Sequence, residues 1–326
     1  MILVRSPLRI SIGGGGTDLP SYYTKHNGLV ISAAIDKYIY TSISRCFSDA
    51  IKLKYSSTEE IDSIHKIKHP IIREVLNLLT PTIKNLEITT IANIPSGTGL
   101  GSSSTFTCSL IKALCIYVRR AITQNELAEI ACEIELGKLN EPIGKQDQYI
   151  SAYGGLTKFT FNQDHSVGVS HLPINKERIR RLENNLLLFF TGFTRRAGDI
   201  LADQDTKSKE GNSAMLDNLH KVKTQCEQIQ KIICVGNLDD YGVLMRDHWE
   251  NKMKRSPNIS NAQINELINL GLTCGAIGGK LVGAGGGGFL LFYSNDPEKL
   301  RNQMSKKGIK ELPFKFDLEG TKTLLP

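Results

Sequence analysis

No stretch of this 326-residue sequence approaches the about 18–20 consecutive apolar residues that cross a bilayer, so no membrane partner is expected. The start, MILVRSPLRI, has no basic segment followed by an apolar one. A secretory leader is therefore not expected, and a cytoplasmic location is the default. No two cysteines have CxxC spacing; the seven, at 46, 108, 115, 132, 226, 234 and 274, are scattered. That excludes a disulfide framework or a zinc site and predicts reduced, mostly buried thiols. Repeats, low-complexity tracts and heptad runs are missing as well. The formal charge of +7 is small for the length, and Lys and Arg gather in short clusters at 176–181 (KERIRR), 252–255 (KMKR) and 306–307. These clusters read as solvated helix faces. Without a basic stripe and interleaved aromatics, nucleic acid is not an expected partner. A small anionic substrate suits the balance.

What is present is a globular chain. Hydrophobic residues make up 40% and charged residues 22%, and the length is about twice the ~150 residues of a common domain. Two units are expected, 1–180 and 181–326. Alternating or β-branched runs at 9–12, 29–31, 38–44, 86–92 and 156–161 predict strands. Phe106, Leu110, Leu114 and Val118 recur every four residues, which predicts a helix. Thr123 and Glu126 form a capping-box pattern that opens the next one, with Leu127, Ile130 and Ile134 inward. A short helix is expected at 146–152. The second unit reads as a strand at 186–191, helices at 212–233, 238–249 and 261–270, a strand at 288–293, a helix at 296–306 and a last strand near 314–316; Gly271 would stop the third helix. Strands and helices mix without strict alternation, so the class is α+β.

Glycine, 29 residues in all, is concentrated in three places. The middle one, PSGTGLGSSS at 95–104, opens directly into the first helix. Glycines there let successive N–H groups converge on one anion, and the helix N-terminus adds positive potential. Serine hydroxyls at the helix start suit phosphate oxygens or Mg²⁺. No Lys follows the last glycine and the spacing is GxGxG, so this is neither a Walker A loop nor a dinucleotide fingerprint. The first cluster, RISIGGGGTDLP at 9–20, reads as strand, glycine turn and Thr-Asp. Asp18 would accept sugar hydroxyls there, or else cap a turn. The third, GAIGGKLVGAGGGGF at 275–289, carries five glycines within 283–288. Their entropic cost, up to ~1 kcal/mol each in regular structure, calls for a close backbone approach to offset it. Glu135 and Asp147 are the downstream carboxylates; Mg-dependent phosphoryl transfer needs such acids on the metal and near the attacking hydroxyl.

These three clusters, in this order, resemble the motifs of the GHMP kinase superfamily over nearly the whole chain. In detail, RISIGGGGTDLPSYY, GKQDQYISAYGGL, TGFTRRAGDIL and HWENKMKRSPNIS are similar to the D-glycero-D-manno-heptose 7-phosphate kinase subfamily. The resemblance implies a ribosomal-S5-like N-terminal domain and a ferredoxin-like C-terminal one. It implies ATP held by Pro95, Ser96, Gly97, Thr98, Gly99, Leu100, Gly101, Ser102, Ser103 and Ser104, and Mg²⁺ held by Ser103 and Glu135, with Ser102 the neighbouring candidate. Asp147 and Arg9 would be catalytic. Substrate would meet Gly14, Gly15, Gly16, Thr17, Asp18, Gly285, Gly286 and Arg196, the last clamping a sugar phosphate with Lys254 a weaker candidate among Arg195, Lys252, Lys254 and Arg255. The implied reaction phosphorylates the anomeric hydroxyl of a phosphorylated heptose, for nucleotide-activated heptose; a homodimer is compatible with it. Gly15-Gly16 stand where galactokinases carry Glu-His, the fucokinase Trp-Ser-Asp turn is absent, and Leu8-Arg9 replaces the mevalonate kinase lysine. Another sugar or small-alcohol kinase of the fold, or a silent sugar- or nucleotide-binding regulator, remain the alternatives.

Overall fold

The structure is a computed structural model describing residues 1–194 and 197–326. The first half runs β1 (Ile2–Gly13), α1 (Pro20–His26), β2 (Gly28–Arg45), β3 (Ile51–Lys54), β4 (Thr58–Ile61), a 3₁₀ turn (Ile64–Lys66), α2 (Pro70–Leu79), β5 (Leu86–Ala92) and α3 (Ser102–Tyr117). Next come α4 (Gln124–Cys132), a π-helical stretch (Glu133–Lys138), α5 (Gln146–Tyr153), β6 (Leu156–Phe161) and β7 (Val167–His171). The remainder is α6 (Lys176–Asn185), β8 (Leu186–Phe190), α7 (Ala197–Lys209), α8 (Ser213–Cys234), α9 (Leu238–Met253), α10 (Ala262–Thr273), β9 (Ala276–Leu281), β10 (Phe289–Ser294), α11 (Pro297–Lys306) and β11 (Lys322–Leu325).

An eight-stranded mixed sheet runs β11-β1-β2-β5-β3-β4, with β6 paired to β2 and β7 to β6. The long β2 makes this possible: Gly28 to Ala33 pair with β6, and Ile39 to Arg45 pair with β5. A second, antiparallel sheet has the order β8-β10-β9. The expected apolar stripe of α3 is buried at Phe106, Leu110 and Leu114 in the same core as Ile10, Ile35 and Ile43 of the large sheet, whereas its fourth member, Val118, follows the helix as its C-cap and is exposed. Thr123 and Glu126 form the expected reciprocal capping box. All seven cysteines are free thiols, five of them buried.

Three sequence expectations are corrected. Helix α10 passes through Gly271 to Thr273; a Cβ there would lie 2.3 Å from the Phe292 ring, so the glycine serves packing rather than termination. Residues 314–316 form only an isolated bridge, Ile35 to Phe316. The chain ends instead in β11, antiparallel to β1. Finally, the front of the third glycine cluster is strand β9. A Cβ on Gly278 would fall 1.8 Å from the Gly242 carbonyl oxygen of α9, so glycine lets this helix lie directly on the strand. That close approach carries the end of α9, with Lys252 and Arg255, toward the first glycine turn.

Candidate active site

The 95–104 loop is built backbone-outward. Gly97, Gly99 and Gly101 have φ of 76°, 81° and 78°, a left-handed conformation that only glycine adopts cheaply. Between them Thr98 and Leu100 bury their side chains, so these two can offer a ligand only their backbone. Gly101 is the N-cap of α3 and supplies no side-chain cap, which leaves the first-turn N–H groups free for an anion. The third glycine cluster backs this loop. A Cβ on Gly283 would stand 2.6 Å from Gly99 Cα, and one on Gly288 2.2 Å from the Thr98 carbonyl oxygen. The close approach inferred from the glycine run is thus between two protein segments. Gly285 and Gly286, expected at substrate, lie against Ile259; the Gly286 N–H donates to the Ile259 carbonyl at 2.9 Å.

The charged groups converge at the start of α3. From β1, Arg9 donates Nε–H to Asp147 Oδ1 (2.7 Å) and Nη2–H to Oδ2 (2.6 Å), a two-pronged pair. Its Nη1–H goes to the Gly99 carbonyl, tying the pair to the loop. Asp147 sits in the first turn of α5, where the helix dipole favours an anion. Gly101 is the close neighbour of both: a Cβ there would be 3.2 Å from Arg9 Cγ and from Asp147 Oδ2. Glu135, from the π-helical stretch, is fully buried and accepts from Ser103 Oγ (2.6 Å) and Gln148 Nε2 (2.7 Å). Burial pushes its carboxyl up, against the downward pull of these hydrogen bonds. Ser102 Oγ is buried without a partner among the described residues.

Asp18 is not the open acceptor expected for sugar hydroxyls. It is 2% exposed, and its oxygens take the backbone N–H groups of Gly16 (2.9 Å) and Gln146 (3.2 Å). It therefore staples the first glycine turn to the start of α5. Burial raises its carboxyl, and the negative Asp147 adds to the rise. Thr17 is equally inward: Oγ1–H serves the Gly14 and Leu29 carbonyls, at 2.8 and 2.9 Å.

The KMKR run divides. Lys254 is exposed, whereas Lys252 in the last turn of α9 and Arg255 in the turn just after it are buried. Arg255 donates to Asn218 Oδ1 (2.8 Å) and to the Gly15 carbonyl (2.9 Å), which puts it in the wall of the first turn. Lys252 and Arg255 stood among the sequence candidates for a phosphate clamp, behind Arg196 and Lys254; Gln204 and Lys280 were not singled out, although Lys280 lies inside the third glycine cluster. In the KERIRR cluster, Arg178 is not a solvated charge but caps the end of α8, bonding the Ile232, Ile233 and Gly236 carbonyls. Arg195 and Arg196 lie outside the described residues.

Lys280 carries a pH prediction. Its ammonium donates to the Ile12 carbonyl at 2.7 Å, and burial lowers its pKa to about 7. An unfolded lysine keeps its proton to about pH 10.4. Above pH 7 the unfolded chain therefore binds more protons, and stability rises with pH. The buried Cys226 thiol, pushed up to about 12, acts oppositely once unfolded thiols ionise, at about pH 8.5. Between pH 7 and about 8.5, urea unfolding of wild type should gain stability with pH, Lys280 contributing on the order of 1 kcal/mol per unit. Lys280→Met should flatten that slope; equal slopes would refute the buried charge.

Two family profiles match the chain: GHMP kinases N terminal domain over residues 66–155 and GHMP kinases C terminal over 227–310. D-glycero-alpha-D-manno-heptose 7-phosphate kinase of Campylobacter jejuni is 30% identical, covering 99% of this chain and 98% of that protein. Among solved structures, a D-glycero-D-manno-heptose 1-phosphate kinase from Bacteroides thetaiotaomicron superposes with a TM-score of 0.83 at 24% identity, covering 100% of this chain and 99% of that one. A putative sugar kinase from Campylobacter jejuni superposes at 0.79 with 27% identity, covering 100% and 98%. With matches this extensive, and with the glycine loop, its serines and the paired carboxylates assembled at one helix start, the chain belongs to the GHMP kinase family, ATP-using phosphotransferases with an alcohol group as acceptor.

Proposed function

We propose that this kinase transfers the γ-phosphoryl group of ATP to the anomeric C1 hydroxyl of D-glycero-D-manno-heptose 7-phosphate, giving the 1,7-bisphosphate for nucleotide-activated heptose. The choice of sugar rests on the full-length likeness to the Campylobacter jejuni 7-phosphate kinase. The chemistry rests on one observation, the Arg9–Asp147 pair tied to the Gly99 carbonyl. ATP phosphates take the loop and α3 amides. The sugar lies against the first glycine turn, with its hydroxyl at Asp147. Both Asp147 oxygens are bound to Arg9 yet keep lone pairs, and the side chain is 22% exposed, so it accepts the hydroxyl proton as the oxygen attacks. Arg9 holds the carboxylate in place and offers positive charge to the transferring group.

Ser103 and Glu135 form a hard-oxygen donor set that fits Mg²⁺, and a carboxyl pushed up by burial gains from a cation beside it. These two residues would hold the ion, which would supply positive charge to the ATP phosphates during transfer.

The test offers ATP with heptose 7-phosphate, heptose 1-phosphate, free heptose, mannose, fucose and galactose, and reads the product by phosphorus NMR. The 7-phosphate should be consumed fastest, with a new anomeric phosphate coupled to H1. Faster use of the 1-phosphate, which leads to the same bisphosphate from the other end, or of an unphosphorylated sugar, overturns the reading.

A further inference from the structure

Three basic side chains in and behind the wall of the site are buried with no ion-pair partner among the described residues. Lys252 gives its ammonium to the Leu281 and Gly283 carbonyls, and Lys280 gives its own to the Ile12 carbonyl. Arg255, 5% exposed, binds the Asn218 side chain, the Gly15 carbonyl and, at 3.4 Å, Gln204 Oε1. Cations buried without a counter-charge are costly, and a bound anion would offset that cost. Arg255 stands out because its second terminal nitrogen, Nη2, is buried and has no acceptor among the described residues. The guanidinium is planar, so with Nη1 on Gly15, Nη2 lies beside the same turn. Its orientation is set in advance, since Asn218 holds Nε and Gln204 Nε2 donates to the Gly16 carbonyl at 3.3 Å.

We propose that Arg255 receives the phosphate that the sugar substrate already carries, and so sets the preference for a phosphorylated over a free sugar. The inference rests on the phosphorylated substrate of the proposed function and goes beyond it by naming the residue. Nη2, the one guanidinium nitrogen without an acceptor among the described residues, can donate a charge-assisted hydrogen bond to a phosphate oxygen. Its place at the Gly15–Gly16 turn assigns it to the sugar, because the ATP phosphates already have the loop amides. Lys252 lies on the loop side instead, since its Gly283 partner abuts Gly99. The acid at this turn, Asp18, has both oxygens on backbone N–H groups, which turns them toward the backbone of the turn.

Titration calorimetry of wild type and Arg255→Gln with heptose 7-phosphate, free heptose and ATP tests this. Wild type should bind the 7-phosphate more tightly than the free sugar. In Arg255→Gln that preference should fall by about ten- to a hundredfold, the size of a lost charge-assisted pair, with ATP binding unchanged. A preference that survives, or an equal loss for both sugars, overturns the role of Arg255 and leaves the substrate reading intact. A wild type with no preference overturns the phosphorylated substrate itself. If Arg255→Gln does not fold, Arg255→Lys replaces it: the charge stays, the fork is lost, and an undiminished preference overturns the assignment.

Discussion

Asp147→Asn is expected to lower kcat by about 10²–10⁴-fold, the range for loss of a positioned acid–base group. The substitution keeps the size of the side chain and removes its ability to take the hydroxyl proton. It also breaks a charge-assisted pair whose arginine is nearly enclosed, with side-chain exposures of 6% for Arg9 and 22% for Asp147. Some loss of thermal stability should accompany the loss of rate. ATP affinity should be nearly unchanged, because the nucleotide is assigned to the amides of 95–104 rather than to Asp147. Single-turnover kinetics with heptose 7-phosphate and a parallel ATP titration separate the two effects. A variant with near wild-type kcat removes Asp147 from the chemistry. A loss below a hundredfold makes it an electrostatic partner of Arg9 rather than the base.

Glu135→Gln should raise the Mg²⁺ concentration needed for half-maximal rate by at least the about 10–100-fold that loss of an outer-shell partner brings to a metal site. Glu135 is fully buried and takes hydrogen bonds from Ser103 Oγ and Gln148 Nε2. A neutral amide fills the same space, supplies no charge, and turns an N–H group toward one of these donors. High Mg²⁺ should restore part of the rate, since the Ser103 hydroxyl and the ATP oxygens remain. A Mg²⁺ dependence identical to wild type would take Glu135 out of the metal shell and leave it as a buried brace for Ser103 and Gln148.

Much of the site was legible in the residues because the chemistry is written locally. Pro95 to Ser104 carry their own instructions: glycine at every second position for left-handed φ, then serines at a helix start. The capping box at Thr123 and Glu126 and the stripe of α3 are local as well. What misled was glycine used for packing. Gly271 lies inside a helix because Phe292 presses on it, and Gly278 lies inside a strand because the Gly242 carbonyl does. In a linear reading both resemble helix stops or ligand loops, since the neighbour that requires them is distant in the chain.

The sequence by itself determined the α+β class and the glycine-serine loop, because helix periodicity and glycine conformation act over a few residues, and its resemblance to the family pointed to Arg9, Glu135 and Asp147. Only the tertiary structure decided how those groups are used. Arg9 and Asp147 are 138 positions apart and become a pair because β1 and the start of α5 meet at the loop. Asp18 becomes a staple rather than an open acceptor because that meeting buries it under backbone N–H groups. Lys254 faces solvent while Arg255, the next residue, reaches the Gly15 carbonyl 240 positions away. Both lie in the turn that follows α9, where the Arg255 N–H donates to the Lys252 carbonyl at 3.1 Å, and only the packing of α9 on β9 aims that turn so that Arg255 faces inward.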